Sequence, residues 1–171
     1  MNDLKIRLIL CNLRGAGNVG SILRTADAAG VELVYVAGYT PYPRIPGDDR
    51  PPHVISSNDR AIAKTALGAE RAMQIVHSQD SLTAIAEAKQ DGFTIIIVEQ
   101  AETSLNLYHF NLPSNKLAIL VGNEVDGVEM QVLAAADQIL EIPMIGQKES
   151  LGVAVAAALA LYQIKFGANH F

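Results

Sequence analysis

Apolar and polar positions switch along the chain between two periods, and the switches mark the elements. Lys5 to Cys11 is rich in Ile and Leu and predicts a first strand. Val19, Ile22, Leu23, Ala26 and Ala29 then fall at helical spacing, predicting a helix that Gly30 ends. Glu32 to Ala37 is the next strand, so the chain starts as strand, turn, helix and strand, the unit of a parallel sheet. Residues 38–60 fit no regular element: five of the seven prolines lie there (Pro41, Pro43, Pro46, Pro51, Pro52), and a loop of that length is expected to be functional or mobile. Ile62 to Leu67 predicts a short helix and Ala72 to His77 a strand. Ser81 to Gln90 places Leu82, Ile85 and Ala86 on one face, a helix capped by Asp80 or Ser81, and Phe93 to Val98 is a buried strand. Residues 99–114 read as an irregular link.

The last third organises the rest. Leu117 to Val121 is apolar without a charge, suiting a strand buried on both faces, and it breaks into Gly122-Asn123-Glu124. Gln138 to Ile142 stops at Pro143, which ends a strand. After Gly146, polar Gln147 to Ser150 leads into a long helix, with Ser150 placed to cap it. Two strand ends and a helix start then converge where open α/β sheets bind ligands. The expected fold is one Rossmann-like α/β domain over residues 1–171, a mostly parallel sheet with helices on both faces. No internal repeat or second core suggests a separate RNA-binding domain.

Composition narrows the setting. Half of the residues are hydrophobic and Trp is absent, so the core is built from Ala, Val, Ile and Leu. No apolar run has transmembrane length, and residues 1–9 lack the features of a signal peptide. A single cysteine, Cys11, excludes an internal disulfide and suits a cytoplasmic protein, where it reads as a small buried thiol. The four histidines show no metal-ligand spacing, so no metal is expected. The net charge of −5 is unevenly spread: residues 1–75 hold nine Lys/Arg against seven Asp/Glu, residues 76–171 four against eleven. All seven arginines lie in the first half, and the guanidinium fork suits phosphate, so that half is the better candidate for an RNA face. Tyr39 and Tyr42 near Arg44 and Arg50 add aromatics able to stack bases, although a plain surface loop accounts for them as well.

Gly15-Ala16-Gly17-Asn18-Val19-Gly20 matches GxGxxG between a strand and a helix, the dinucleotide-binding context. An NAD(P)-dependent oxidoreductase is therefore one reading. It lacks the acidic residue at the end of the second strand, where Val36, Ala37 and Gly38 stand.

Three ordered motifs support another. Asn18 to Gly30 reads NVGxIxRTADAAG, Gly122 to Gly127 reads GNExxG, and IPMxG at 142–146 is followed by SLxVAxAxAxxLY from Ser150. Together they resemble the SpoU/TrmH-type (SPOUT superfamily) RNA 2'-O-ribose methyltransferases over nearly the whole chain. The resemblance implies a C-terminal deep trefoil knot at about 117–166 that holds S-adenosylmethionine. It implies a catalytic set of Asn18, Arg24, Glu124 and Ser150, with an Arg24–Glu124 ion pair fixing the guanidinium. Around the cofactor it places Leu120, Val121, Gly122, Asn123, Ile142, Met144, Gly146, Ser150, Leu151 and Val153. RNA, with tRNA favoured and rRNA the alternative, would meet Arg14, Arg24, Arg44, Arg50 and Arg60. The family's dimers put the helix after Gly152 at the interface, with Arg24 reaching the partner's cofactor site, so a homodimer is expected. A guanidinium is too basic for an ordinary general base, so Arg24 is assigned to stabilising alkoxide charge and holding phosphate. Gly152 stands where the family usually has asparagine, which raises a second possibility, a cofactor- and RNA-binding member with weakened catalysis.

Overall fold

The computed structural model describes residues 4–167. Alternate residues of strand β1 (Lys5–Cys11) enter opposite cores: Ile6, Leu8 and Leu10 go to one, Ile9 and Cys11 to the other. The strands β2 (Leu33–Ala37), β4 (Thr94–Val98) and β6 (Lys116–Val121) divide in the same way, which is why they read as nearly continuous apolar runs. One core is closed by helices α1 (Ala16–Ala28), α2 (Pro52–Ala66), the single turn α3 (Ala69–Ala72) and α6 (Val153–Phe166). The other is closed by α4 (Ser81–Gln90) and the single turn α5 (Met130–Leu133). With β3 (Ile75–Ser78), β5 (Leu105–Asn106) and β7 (Gln138–Glu141) the sheet has seven strands in the order β3-β2-β1-β6-β4-β7-β5, every neighbouring pair parallel. This is the expected doubly covered α/β sheet.

Some elements differ from the sequence expectation. The segment 38–60 is not loop throughout, because α2 starts at Pro52. Of the five prolines, Pro51 and Pro52 sit at the helix start, where the missing N–H costs nothing and the fixed φ is already helical. Ile55, Ile62 and Ala66 are its buried stripe, and the short helix expected at 62–67 is its last stretch. The strand expected from Ala72 starts at Ile75, after α3, and β5 interrupts the link at 99–114. Asp80 is the cap of α4, its carboxylate accepting the Thr83 amide at 2.7 Å.

Residues 38–51, which do form a loop, are tied down. The Thr40 hydroxyl is buried, accepting the Leu13 amide at 3.0 Å and facing the Ala37 carbonyl at 2.8 Å. Arg50 bonds Asp48 at 2.6 Å and lies over the Tyr42 ring at 3.4 Å, while Tyr42 stacks on His77 with centroids 4.6 Å apart. Burial and hydrogen bonding hold these residues in place without secondary structure.

Candidate active site

Parallel strands deliver their C-terminal ends to one edge of the sheet, and there the ends of β4, β6 and β7 border a cleft of about 210 Å³ beside the start of α6. Of the residues expected around a cofactor, Val121, Gly122, Asn123, Ile142, Met144, Ser150, Leu151 and Val153 line it, and Glu124 joins them. Leu120 does not: one residue from Val121 on a strand, its side chain turns to the opposite face, into the core under α4. Gly146 also lies outside the cleft wall, with open space around it. Ser150 lines the cleft but caps nothing. The helix α6 starts at Val153, after an extended Gly152 with no side-chain cap.

Asn123 is buried and ties the cleft to the end of β1. Its Oδ1 accepts the amides of Val125 and Asp126, both at 2.8 Å. Its Nδ2 donates to the Asn12 carbonyl and to the Tyr39 hydroxyl, also both at 2.8 Å. Asn12 itself holds a left-handed φ of 54°, uncommon away from glycine but tolerated by Asn. Glu124 follows at the rim. One carboxylate oxygen accepts the Arg14 amide at 3.0 Å; the other accepts the Gly15 amide at 3.3 Å and Asn18 Nδ2 at 2.9 Å. Burial raises the Glu124 pKa, but these hydrogen bonds outweigh it and hold the carboxyl below its ordinary value.

The same contacts decide the glycine pattern. A phosphate-cradling turn leaves its amides open to an anion. Here the amides ahead of α1 are taken by Glu124 of the same chain. Gly20 has a packing role: a Cβ on it would overlap the Thr65 hydroxyl and the Ile62 carbonyl where α1 meets α2. Thr65 donates to the Gly17 carbonyl at 2.8 Å. GxGxxG therefore marks a helix–helix contact and the turn that presents Asn18.

Arg24 lies exposed on α1 and makes no ion pair or hydrogen bond to any described residue. The expected Arg24–Glu124 pair is absent. At 3.6 residues per turn Arg24 stands about 120° round the helix from Asn18, so both cannot face one carboxylate. Of the expected RNA contacts, Arg14, Arg44 and Arg60 are exposed. Arg44 Nε lies 3.9 Å from Asp59, and Arg60 Nε bonds the Ser56 carbonyl of its own helix at 3.2 Å. Arg50 is engaged within the protein. Its guanidinium is spent on Asp48, on the carbonyls of Tyr42 and Pro43 and on the Tyr42 ring.

Three lining residues, Val98, Glu99 and Gln100, had no motif to mark them. Glu99 and Gln100 follow β4 and face the cleft; Glu99 accepts the Val128 amide at 3.1 Å, and Gln100 Nε2 donates to the Glu149 carbonyl at 2.8 Å. Their position at a strand end next to Val121 was the available signal. Among the described residues no group of three His, Cys, Asp or Glu side chains is placed to hold a metal ion.

The model of the SpoU rRNA Methylase family matches residues 50–162. The chain is 33% identical over 146 residues to the tRNA (guanosine(18)-2'-O)-methyltransferase of Escherichia coli K12, covering 85% of this chain and 56% of that protein. It is 29% identical to the 23S rRNA (guanosine-2'-O-)-methyltransferase RlmB of Neisseria meningitidis, covering 96% and 60%. The chain thus spans little more than half the length of these relatives. The structure of the SpoU methyltransferase AviRb from Streptomyces viridochromogenes, in complex with AdoMet, superposes with a TM-score of 0.66 at 26% identity, covering 95% of this chain and 60% of that one.

Proposed function

The chain belongs to the SpoU rRNA methylase family, and from that premise we propose that it transfers a methyl group from S-adenosylmethionine to a ribose 2'-hydroxyl of RNA. One observation carries the reading. Asn18 of the first motif and Glu124 of the second are joined at 2.9 Å on the rim of a cleft that residues of the second and third motifs line together with the end of β4.

The cleft suits the cofactor. Apolar Ile142, Leu151 and Val153 offer a surface for adenine, while Glu99 and the main chain at Gly122 supply polar groups. Adenosylmethionine, when bound, supplies an electrophilic methyl on a sulfonium. The chain's own tasks are to place the hydroxyl in line and to stabilise the charge that develops on it. Asn18 and Glu124 form a preorganised polar rim. Arg24, exposed and without a partner among the described residues, is the group left to meet phosphate and alkoxide.

We assign residues 117–166 to the knot. In support, β4 separates β6 from β7 in the sheet, so the return after β7 passes the end of β4, where Gln100 bonds Glu149. The protein acts as a homodimer. Helix α6 buries Ala157, Ala160, Leu161 and Ile164 but leaves Val155, Leu159, Tyr162 and Phe166 exposed, an apolar face beside Tyr108 that a second copy would cover. The substrate is tRNA or rRNA, with tRNA favoured, and an RNA substrate places the work in the cytoplasm. No helix among the described residues is long and apolar enough to cross a membrane.

A thermal-shift comparison tests the cofactor: adenosylmethionine should raise Tm and NAD should not. A response to NAD alone would return the dinucleotide reading.

A further inference from the structure

Tyr39 is an aromatic side chain with most of its surface in solvent, 62% exposed, on a chain segment where almost everything else is tied down. Gly38 before it holds φ 64°, and a Cβ there would overlap Asn12 Oδ1. That same oxygen accepts the Tyr39 amide at 3.3 Å. Thr40 after it is buried with its hydroxyl bonded, and Tyr42 is clamped between Arg50 and His77. The far end of the ring is held too, since the Tyr39 hydroxyl accepts Asn123 Nδ2 at 2.8 Å.

The tether has a location. Asn123 lines the cleft and directly precedes Glu124, whose carboxylate binds Asn18. The ring is thus fixed at both ends beside the catalytic rim while remaining largely open to solvent. A free surface tyrosine would lose rotamer freedom on stacking; this one has already lost it, so binding costs less. Unstacked RNA bases are commonly received on aromatic rings, because every base has a π-face. Arg14, exposed two residues after Asn12, stands ready for the adjoining phosphate.

On the reading of this site as an RNA ribose methyltransferase, we propose that Tyr39 is the stacking platform for an unpaired nucleobase of the RNA at the catalytic rim. Tyr42, buried under Arg50, is not part of it. The ring does the binding, and the hydroxyl holds it in place through Asn123.

The test compares the full-length wild type with Tyr39→Ala and Tyr39→Phe. It measures methyl transfer from tritiated adenosylmethionine to unfractionated tRNA and to rRNA, adenosylmethionine affinity by calorimetry, and Tm. Tyr39→Ala should raise the KM for RNA about 5- to 150-fold, the range for losing one base–aromatic stack, with kcat less affected. Its adenosylmethionine affinity and Tm should stay close to wild type. Tyr39→Phe keeps the ring and should restore most of the lost RNA affinity. The inference is overturned if Tyr39→Ala leaves the KM for RNA unchanged, or if Tyr39→Phe loses as much as Tyr39→Ala. Equal loss of adenosylmethionine affinity in Tyr39→Ala would also overturn it, since the tyrosine would then be supporting the cofactor loop. A wild type that methylates neither RNA pool would overturn the methyltransferase reading itself, and the inference with it.

Discussion

Asn18 and Glu124 are 106 residues apart in the chain and 2.9 Å apart in space. This hydrogen bond joins the first turn of α1, which follows β1, to the turn after β6, and β1 and β6 are neighbouring parallel strands. Glu124 takes three donors there, so it acts as the acceptor around which the turn at 14–18 is arranged.

Glu124→Ala leaves the Arg14 and Gly15 amides and the Asn18 side chain without their acceptor. Transfer should fall about 10- to 100-fold, the worth of hydrogen bonds to a charged group. The Glu124 pKa is lowered in the fold, so its stabilisation is complete above the unfolded carboxylate pKa and disappears as pH falls through the folded value. The Tm difference between wild type and Glu124→Ala should therefore be full at neutral pH and close only below about pH 4. Closure between pH 6 and 7 would contradict this.

The arginines should separate into two kinds. Arg50→Ala uncovers Asp48, whose carboxyl is held at about 2 chiefly by the Arg50 hydrogen bond and whose side chain is 4% exposed. Stability should drop, read as a lower urea midpoint, because Asp48 loses the partner that holds its carboxylate. Arg44→Glu and Arg60→Glu should leave the midpoint alone, weaken RNA binding and flatten its salt dependence. If Arg50→Ala is stable, the loop does not depend on this pair.

Gly152→Asn should fold and transfer methyl at least as well as wild type. The site has ordinary φ and ψ of −61° and 141°, a Cβ would meet nothing within 4 Å, and Asn at the start of α6 is a good cap. A fall in Tm would show that the neighbourhood is less open than its geometry.

The residues that announced the site were those whose chemistry is local. Gly122-Asn123-Glu124 after an apolar run and the IPMxG turn both lie in the cleft region, and the two-faced burial of β1, β4 and β6 followed from their uninterrupted apolar content. What could not be read depended on partners far along the chain. Pro51 and Pro52 read as breakers because proline's effect is opposite at a helix start and in its interior. Arg50 was expected among the RNA contacts, and Asp48 and Tyr42 show themselves as its partners only once the loop folds back. The directions of side chains also appear only in the fold: that of Leu120 enters the core under α4, and Arg24 stands on another side of α1 from Asn18.

The exposed face of α6 predicts its own experiment. Leu159→Glu should convert a dimer to a monomer by light scattering, because a charge cannot be buried there unpaired. If Arg24 works in the partner's site, mixed dimers of Arg24→Ala and Glu124→Ala subunits should recover roughly a quarter of wild-type transfer, since half the dimers hold one intact site. A wild type that is monomeric at micromolar concentration would contradict the dimer.

Methyl transfer itself is the most direct measurement. Wild type is incubated with tritiated adenosylmethionine and bulk tRNA or rRNA, and the RNA is digested to nucleosides to locate the label. The label should appear on ribose 2'-oxygen. Arg24→Ala should lower the rate about a hundredfold or more while binding adenosylmethionine within a few-fold of wild type, and Arg24→Lys should rescue little. Label on a base, no label from the wild type, or full turnover by Arg24→Ala would contradict the mechanism.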